Sequence, residues 1–355
     1  MAGGFDLLTE DKNMPRDMFF TALCLALTLV AHAQEKKVTS LPGKRVDLLR
    51  DTRFQNGFEI NAPKPGKHVA MGVFQPPSAT NKPSWRLCQW NSKYDLSEAK
   101  PEILSNQTIR MANAEKSVTI SSQNTSNDLI LALDSRPEYK GNVRTKGQPW
   151  PHLLVEQTVQ PIVLFKDISR ISFTIQARLL TNECFKLEGY TRNLHTAQFP
   201  MTFIVQNRNK QSKGFGDFIW FCVTLYDERK PFTDLYAAKD TADPSAKMIY
   251  TPPSKTFSQQ TLHDGTWATF SHTNLCTLFS EAISLARARG YLKESPDVGD
   301  FAISSVNIGW EVTGINNVAI QIRNLDIKVD TKQQAPPGPA AAGRNKPIGN
   351  FLASE

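Results

Sequence analysis

Between Val46 and Val329 the chain runs as short stretches of alternating apolar and polar residues, each soon broken by Pro, Gly, Asn or Asp. This rhythm constrains the fold more than any other feature. Period-two alternation between turn residues specifies strands, and the lack of helical segments between them excludes parallel, doubly wound and TIM architectures. Strands are expected at 54–60, 68–74, 85–90, 117–122, 129–133, 152–159, 170–179, 201–207, 218–226, 266–270, 304–311 and 318–329. That spacing predicts an all-β fold, an antiparallel two-sheet β-sandwich of jelly-roll type. No repeat of fixed period is visible, which excludes propellers and solenoids.

One helix interrupts the pattern. Leu275, Leu278, Phe279, Ala282, Leu285 and Ala286 form a single apolar stripe. Asn274 or Thr273 can cap its start and Gly290 can end it, so a covering helix is expected at 275–289. In the last strand the apolar phase moves from Val318, Ile320 and Ile322 to Leu325, Ile327 and Val329. A β-bulge around Arg323 and Asn324 accounts for that shift.

The apolar run Met18–Ala31 holds 14 residues, fewer than the roughly 20 that span a bilayer. With Ala31-His32-Ala33 behind it, the run is expected to be an export signal cleaved after Ala33, and Met1–Asn13 an over-called extension. Residues 34–330 then make the sandwich. The more polar 34–150 is taken as its first strands rather than a separate small β module. Residues 331–355, rich in Pro, Ala and Gly, are expected to be a disordered tail. A secreted or periplasmic protein without a membrane span follows, and Asn106 and Asn124 head glycosylation sequons.

Five Cys in 355 residues are too few for a disulfide scaffold. Cys88, Cys184, Cys222 and Cys276 outlast the signal, form no C-x-x-C pair, and are expected to be buried free thiols. The net charge of +7 has no concentrated source, which together with export argues against a nucleic-acid partner. His263-Asp264-Gly265 reads as a turn, no metal-binding helix motif occurs, and Asp240 with Asp243 lacks a full oxygen-ligand loop. Gly214-Phe215-Gly216 leads into a strand, so it is no phosphate cradle. No cofactor is expected.

Alternate residues of a strand face opposite sides. His152, Leu154 and Glu156 therefore share one face, and Leu153 and Val155 the other. Asn307, Gly309 and Glu311 likewise share a face, with Gly309 leaving room for a close approach to the sheet. If Glu156 and Glu311 line one groove, they form a carboxylate pair of the kind glycosidases use, with His152 as a further acid/base group. Gln176, Arg178, Gln206, Arg208, Gln321 and Arg323 extend this polar surface with groups that make directed hydrogen bonds. Trp85, Trp90, Trp150 and Trp267 offer flat rings for stacking. Glu156, His152 and Glu311 are thus the candidate catalytic residues. Arg178, Gln206, Asn307, Gln176 and Trp150 are the candidate binding residues.

The export signal, the β-only pattern and the segments 150–157, 216–227 and 307–314 together resemble secreted bacterial jelly-roll proteins of glycan-handling systems. The resemblance implies a polysaccharide or oligosaccharide partner and a carbohydrate-binding or carbohydrate-processing role. A glycoside hydrolase or polysaccharide lyase using Glu156, His152 and Glu311 is the alternative, and a non-catalytic structural or assembly protein the second. The R-x-E-x-R, Q-I-H and Y-x-K-x-G-x-Y-x-Q motifs of alginate-lyase sandwiches are absent, as is the E-x-D-x-x-E pattern of laminarinase-like glycosidases.

Overall fold

Alternation of this kind buries one phase of each strand, and in the computed structural model the buried phases face one another between two sheets. The structure describes residues 43–65, 68–104, 108–121, 128–240 and 247–333. The expected signal, the sequon residues Asn106 and Asn124, Asp243 and the tail beyond 333 lie outside the described residues.

The strands are β1 (Arg45–Asp47), β2 (Phe58–Asn61), β3 (Ala70–Phe74), β4 (Trp85–Cys88), β5 (Pro101–Ile103), β6 (Ile109–Ala112), β7 (Lys116–Ser121), β8 (Asp128–Asp134) and β9 (His152–Thr158). They continue with β10 (Ile168–Cys184), β11 (Ala197–Asn207), β12 (Phe218–Asp227), β13 (Tyr236–Lys239), β14 (Met248–Thr251), β15 (Ala268–His272), β16 (Phe301–Val312) and β17 (Asn316–Thr331), with helix α1 (Cys276–Ala288) between β15 and β16. Sheet A has eight strands in the order β15-β10-β17-β8-β7-β6-β5, with β1 also paired to β17. Sheet B has nine, in the order β13-β14-β12-β11-β16-β9-β4-β2-β3. The pairings are antiparallel apart from β2 with β4 and β12 with β14.

Phe173, Ile175, Ile320 and Ile322 of sheet A meet Phe203, Phe221, Val306 and Trp310 of sheet B in one core. Helix α1 closes that core: the Phe279 ring lies 5.7 Å from Phe203 and 4.7 Å from Phe221. Strands β16 and β17 are joined by only Thr313–Ile315 yet enter different sheets. Each takes a central place, β16 between β11 and β9, β17 between β10 and β8.

The helix starts and stops where its signals stand. Asn274 Oδ1 accepts a hydrogen bond from Cys276 N at 3.1 Å, and Gly290 ends the helix at φ +84°. The bulge is present too. Thr174 pairs with Asp326 but Gln176 with Arg323, and Asn324 sits at φ +53°.

Three expectations are corrected. Residues 54–57 form turns instead of the start of a strand, because the Asp51 carboxylate accepts from Gln55 N and Asn56 N at 2.8 Å each. Strand β17 runs through Thr331, one residue into the expected tail. Of the four free thiols, Cys184 and Cys276 are only half-buried, whereas Cys88 and Cys222 are buried.

Candidate functional site

The register of sheet B lines up polar residues from strands far apart in the chain. Glu156 of β9 pairs with Arg86 of β4 on one side and with Asn307 of β16 on the other. Asn307 pairs onward with Thr202 of β11, and Thr202 with Cys222 of β12. The parallel pairing of β14 brings Thr251 beside Cys222, and Tyr236 of β13 pairs with Thr251. The opposite phases, including Leu87, Val155, Val306, Phe203 and Phe221, are in the inter-sheet core. The row therefore crosses the outer face of sheet B from strand to strand.

Apolar rows flank it. Cys88, Trp90 and Leu154 stand on one side, and Ile204, Trp220 and Ile249 on the other, in a second apolar cluster separate from the main core. The outer face is thus a polar lane between apolar walls, not the open polar surface expected from the sequence. Its central residues are buried, with His152 0 %, Glu156 3 %, Asn307 1 % and Glu311 5 % exposed.

Within the lane, Glu156 is neutralised. Arg86 Nη2 donates to its Oε1 at 2.8 Å, and the Cys88 thiol donates to Oε2 at 3.6 Å. Burial, reinforced by the Glu156 charge, holds the Cys88 thiol well above its usual pKa. Asn307 is different: neither its Nδ2 nor its Oδ1 has a hydrogen-bond partner among the described residues. The same holds for the neighbouring Ser305 hydroxyl and the Trp220 indole N–H. Buried polar groups are nearly always paired, and these three residues depart from that rule together on one face of sheet B.

Glu311 lies two same-face positions along β16 from Asn307, directly across the strands from His152 and Gln198. No described residue donates a hydrogen bond to it. Burial first, and then the Asp240 carboxylate, push its pKa up to about 8, so the carboxyl keeps its proton at neutral pH. His152 Nδ1 lies 3.3 Å from Trp90 O and 3.1 Å from Trp150 O, which assigns the ring proton to Nδ1.

Glu156 and Glu311 share the face, on paired strands. Glu311 stands across from His152, four positions along β9 from Glu156. At about 3.4 Å per residue their backbone positions are offset by about 14 Å along the sheet.

The remaining expected residues divide between two surfaces. Gln206 is on the face of the lane, but its amide holds the following loop, donating to Gly216 O at 3.1 Å and accepting from Arg208 Nη1 at 3.3 Å. Trp150 packs between the Arg144 guanidinium at 5.0 Å and the His152 ring at 5.8 Å. Gln176 and Arg178 belong to β10 in sheet A, on the opposite side of the sandwich. Alternation reports which side of its own strand a residue takes; it does not report the sheet. Trp85 is a core residue whose Nε1 donates to Asp51 O at 2.9 Å. Gly309 does allow a close approach, but by the neighbouring strand: a Cβ there would stand 2.2 Å from Leu153 O.

Arg86, Thr202 and Trp220 are not among the residues the sequence singles out, and Cys222 and Asp240 appear there only as a buried thiol and a rejected calcium ligand. Each strand residue among them sits in polar or aromatic phase against apolar neighbours, which is the signal that was available. Their convergence depends on register between distant strands.

No protein-family model and no curated protein matches this chain. Several solved structures do. An endoglucanase, Cel12A from Rhodothermus marinus, is 10 % identical over 66 % of this chain and 97 % of its own, with a TM-score of 0.36. A family 12 xyloglucanase from Bacillus licheniformis is 11 % identical over 65 % and 97 %, also at 0.36. A metagenome-derived glycoside hydrolase family 12 endoglucanase is 12 % identical over 66 % and 96 %, at 0.33. Values this low assign neither family nor activity to the chain.

Proposed function

We propose that this chain binds a polysaccharide along the polar lane of sheet B. The observation that carries the reading is the orphaned set of Asn307, Ser305 and Trp220, buried between apolar walls. An amide supplies both donor and acceptor, the hydroxyl either, and the indole a donor. That mixture matches the vicinal hydroxyls of a sugar, while the buried Trp90 and Trp220 stand in the walls of the lane. A panel of soluble polysaccharides, read by calorimetry, tests the reading. Binding that Asn307→Ala weakens at least tenfold supports it, and a panel without any binding overturns it.

A second reading, hydrolysis, is favoured by Glu311. A carboxyl that holds its proton at neutral pH can donate it to a glycosidic oxygen as the bond to the sugar breaks. The second carboxylate in this reading is Asp240, whose charge acts on Glu311; Glu156 is already paired with Arg86. Reducing-end release that Glu311→Gln abolishes, with binding retained, supports hydrolysis. Binding without release leaves the lane as a recognition surface alone.

A further inference from the structure

The outer face of sheet A carries a second concentration of planar groups, around Trp267. The pairing of Ala268 with Ala177 sets Trp267 beside Arg178, and Gln176 pairs with Arg323 on β17. The Trp267 ring centroid lies 3.8 Å from Arg323 Cζ and 5.1 Å from Arg178 Cζ. Arg178 Nη2 donates to Gln321 Oε1 at 2.8 Å, and Arg323 Nε donates to Gln176 Oε1 at 2.9 Å. Gln176 in turn donates to Thr269 Oγ1 at 3.2 Å. Both guanidinium groups are therefore fixed in place by neutral amides.

The nearest acid in this network stands one residue removed: Gln321 Nε2 donates to Asp128 Oδ2 at 2.6 Å. Along the same two strands, beyond the bulge, cations have acids. Arg170 Nη2 is 2.5 Å from Asp330, and Lys328 Nζ is 3.1 Å from Asp326 and also paired with Asp47. Arg178 and Arg323 form no ion pair with a carboxylate among the described residues, and Arg178 Nε is buried without a hydrogen-bond partner. Fixing two like charges under one indole, when ordinary ion pairs are used a few residues away, leaves them suited to an external anion. The planar forks match carboxylates in two-point contact, and the partly exposed indole suits a sugar ring.

We propose that Trp267, Arg178 and Arg323 form a second binding site, on the outer face of sheet A, for an acidic polysaccharide whose uronate carboxylates pair with the two guanidinium groups. The site lies on the far side of the sandwich from the polar lane and is independent of it.

Oligogalacturonate is the probe, titrated calorimetrically into the full chain at low and at raised salt. Binding that weakens with salt is expected, at least tenfold weaker in Arg178→Gln/Arg323→Gln and in Trp267→Leu, and unchanged in Asn307→Ala. The double lysine variant, Arg178→Lys/Arg323→Lys, keeps the charge but loses the fork, and should also bind at least fivefold more weakly. Thermal unfolding of each variant shows that it is folded. No binding by the parent chain overturns the proposal, as does unchanged affinity in the double glutamine variant. Dextran sulfate binding as tightly as oligogalacturonate also overturns it, since charge alone would then suffice.

Discussion

Trp310 of sheet B donates its indole N–H across the sandwich to the Leu131 carbonyl of sheet A at 2.9 Å. The indole is fully buried, with its ring against Phe199 and Tyr226 at centroid distances of 5.0 and 5.9 Å. Trp310→Phe keeps most of the packing and removes the donor. It should lower the unfolding free energy in urea by about 1–3 kcal/mol, the usual range for a buried group left unpaired. A loss below experimental error would show that the bond contributes nothing.

Gly309→Ala probes the contact of β16 with β9 rather than ligand access. The added Cβ would meet Leu153 O at 2.2 Å and Leu154 Cα at 2.6 Å, both backbone atoms that cannot swing aside. The strands must separate, and a loss of about 3 kcal/mol or more is expected, at the upper end for single substitutions. Wild-type thermal stability in the variant would contradict this.

Glu311 makes stability depend on pH in a stated direction. Its folded-state pKa is raised from 4.5 to about 8, so between those values the folded chain holds a proton that the unfolded chain releases. The contribution is full below about pH 4.5, declines as pH rises, and is exhausted above about pH 8, with a slope of at most about 1.4 kcal/mol per pH unit. Glu311→Gln removes the proton exchange. The difference in unfolding free energy between parent and variant should therefore change steadily from pH 5 to pH 8 and level off beyond; a flat difference would refute the assignment.

Lys116 and Glu138 form an ion pair with side chains 0 % and 2 % exposed, Nζ to Oε1 at 3.0 Å. Lys116 Nζ also donates to Tyr94 O at 2.9 Å, while Ser92 Oγ donates to Glu138 at 2.5 Å. Burial lowers the Lys116 pKa, against the opposing pull of Glu138. Lys116→Met strands the carboxylate and should cost about 3–5 kcal/mol, whereas Lys116→Met/Glu138→Leu should recover most of it. Equal losses in single and double variants would mean that packing, not charge, is at stake.

The elements whose bounds and irregularities are legible in the sequence are the long ones. Strand β17 displays both its alternation and the break at Asn324, and α1 displays its stripe and both ends. Strands β5, β13 and β14, at three or four residues, carry too few positions for any period to register. At the candidate site, the shared faces of His152 with Glu156 and of Asn307 with Glu311 follow from alternation alone. The assignment of Arg178 to the other sheet does not. Nor does the ion pair of Arg86 with Glu156, because the alignment of β4 with β9 is set by residues 70 positions apart in the chain.

The central places of β16 and β17 bear on how the protein is made. A chain emerging N-terminus first completes β8, β9, β10 and β11 before the strands that join them exist. Until about residue 331 leaves the ribosome, each half-sheet presents a bare inner edge, and such edges recruit other chains. Both gaps are filled by two strands separated only by Thr313–Ile315, the last elements of the described chain to be made. Chains cut short anywhere before residue 301 should accordingly appear as insoluble or chaperone-bound material, never as a smaller folded core.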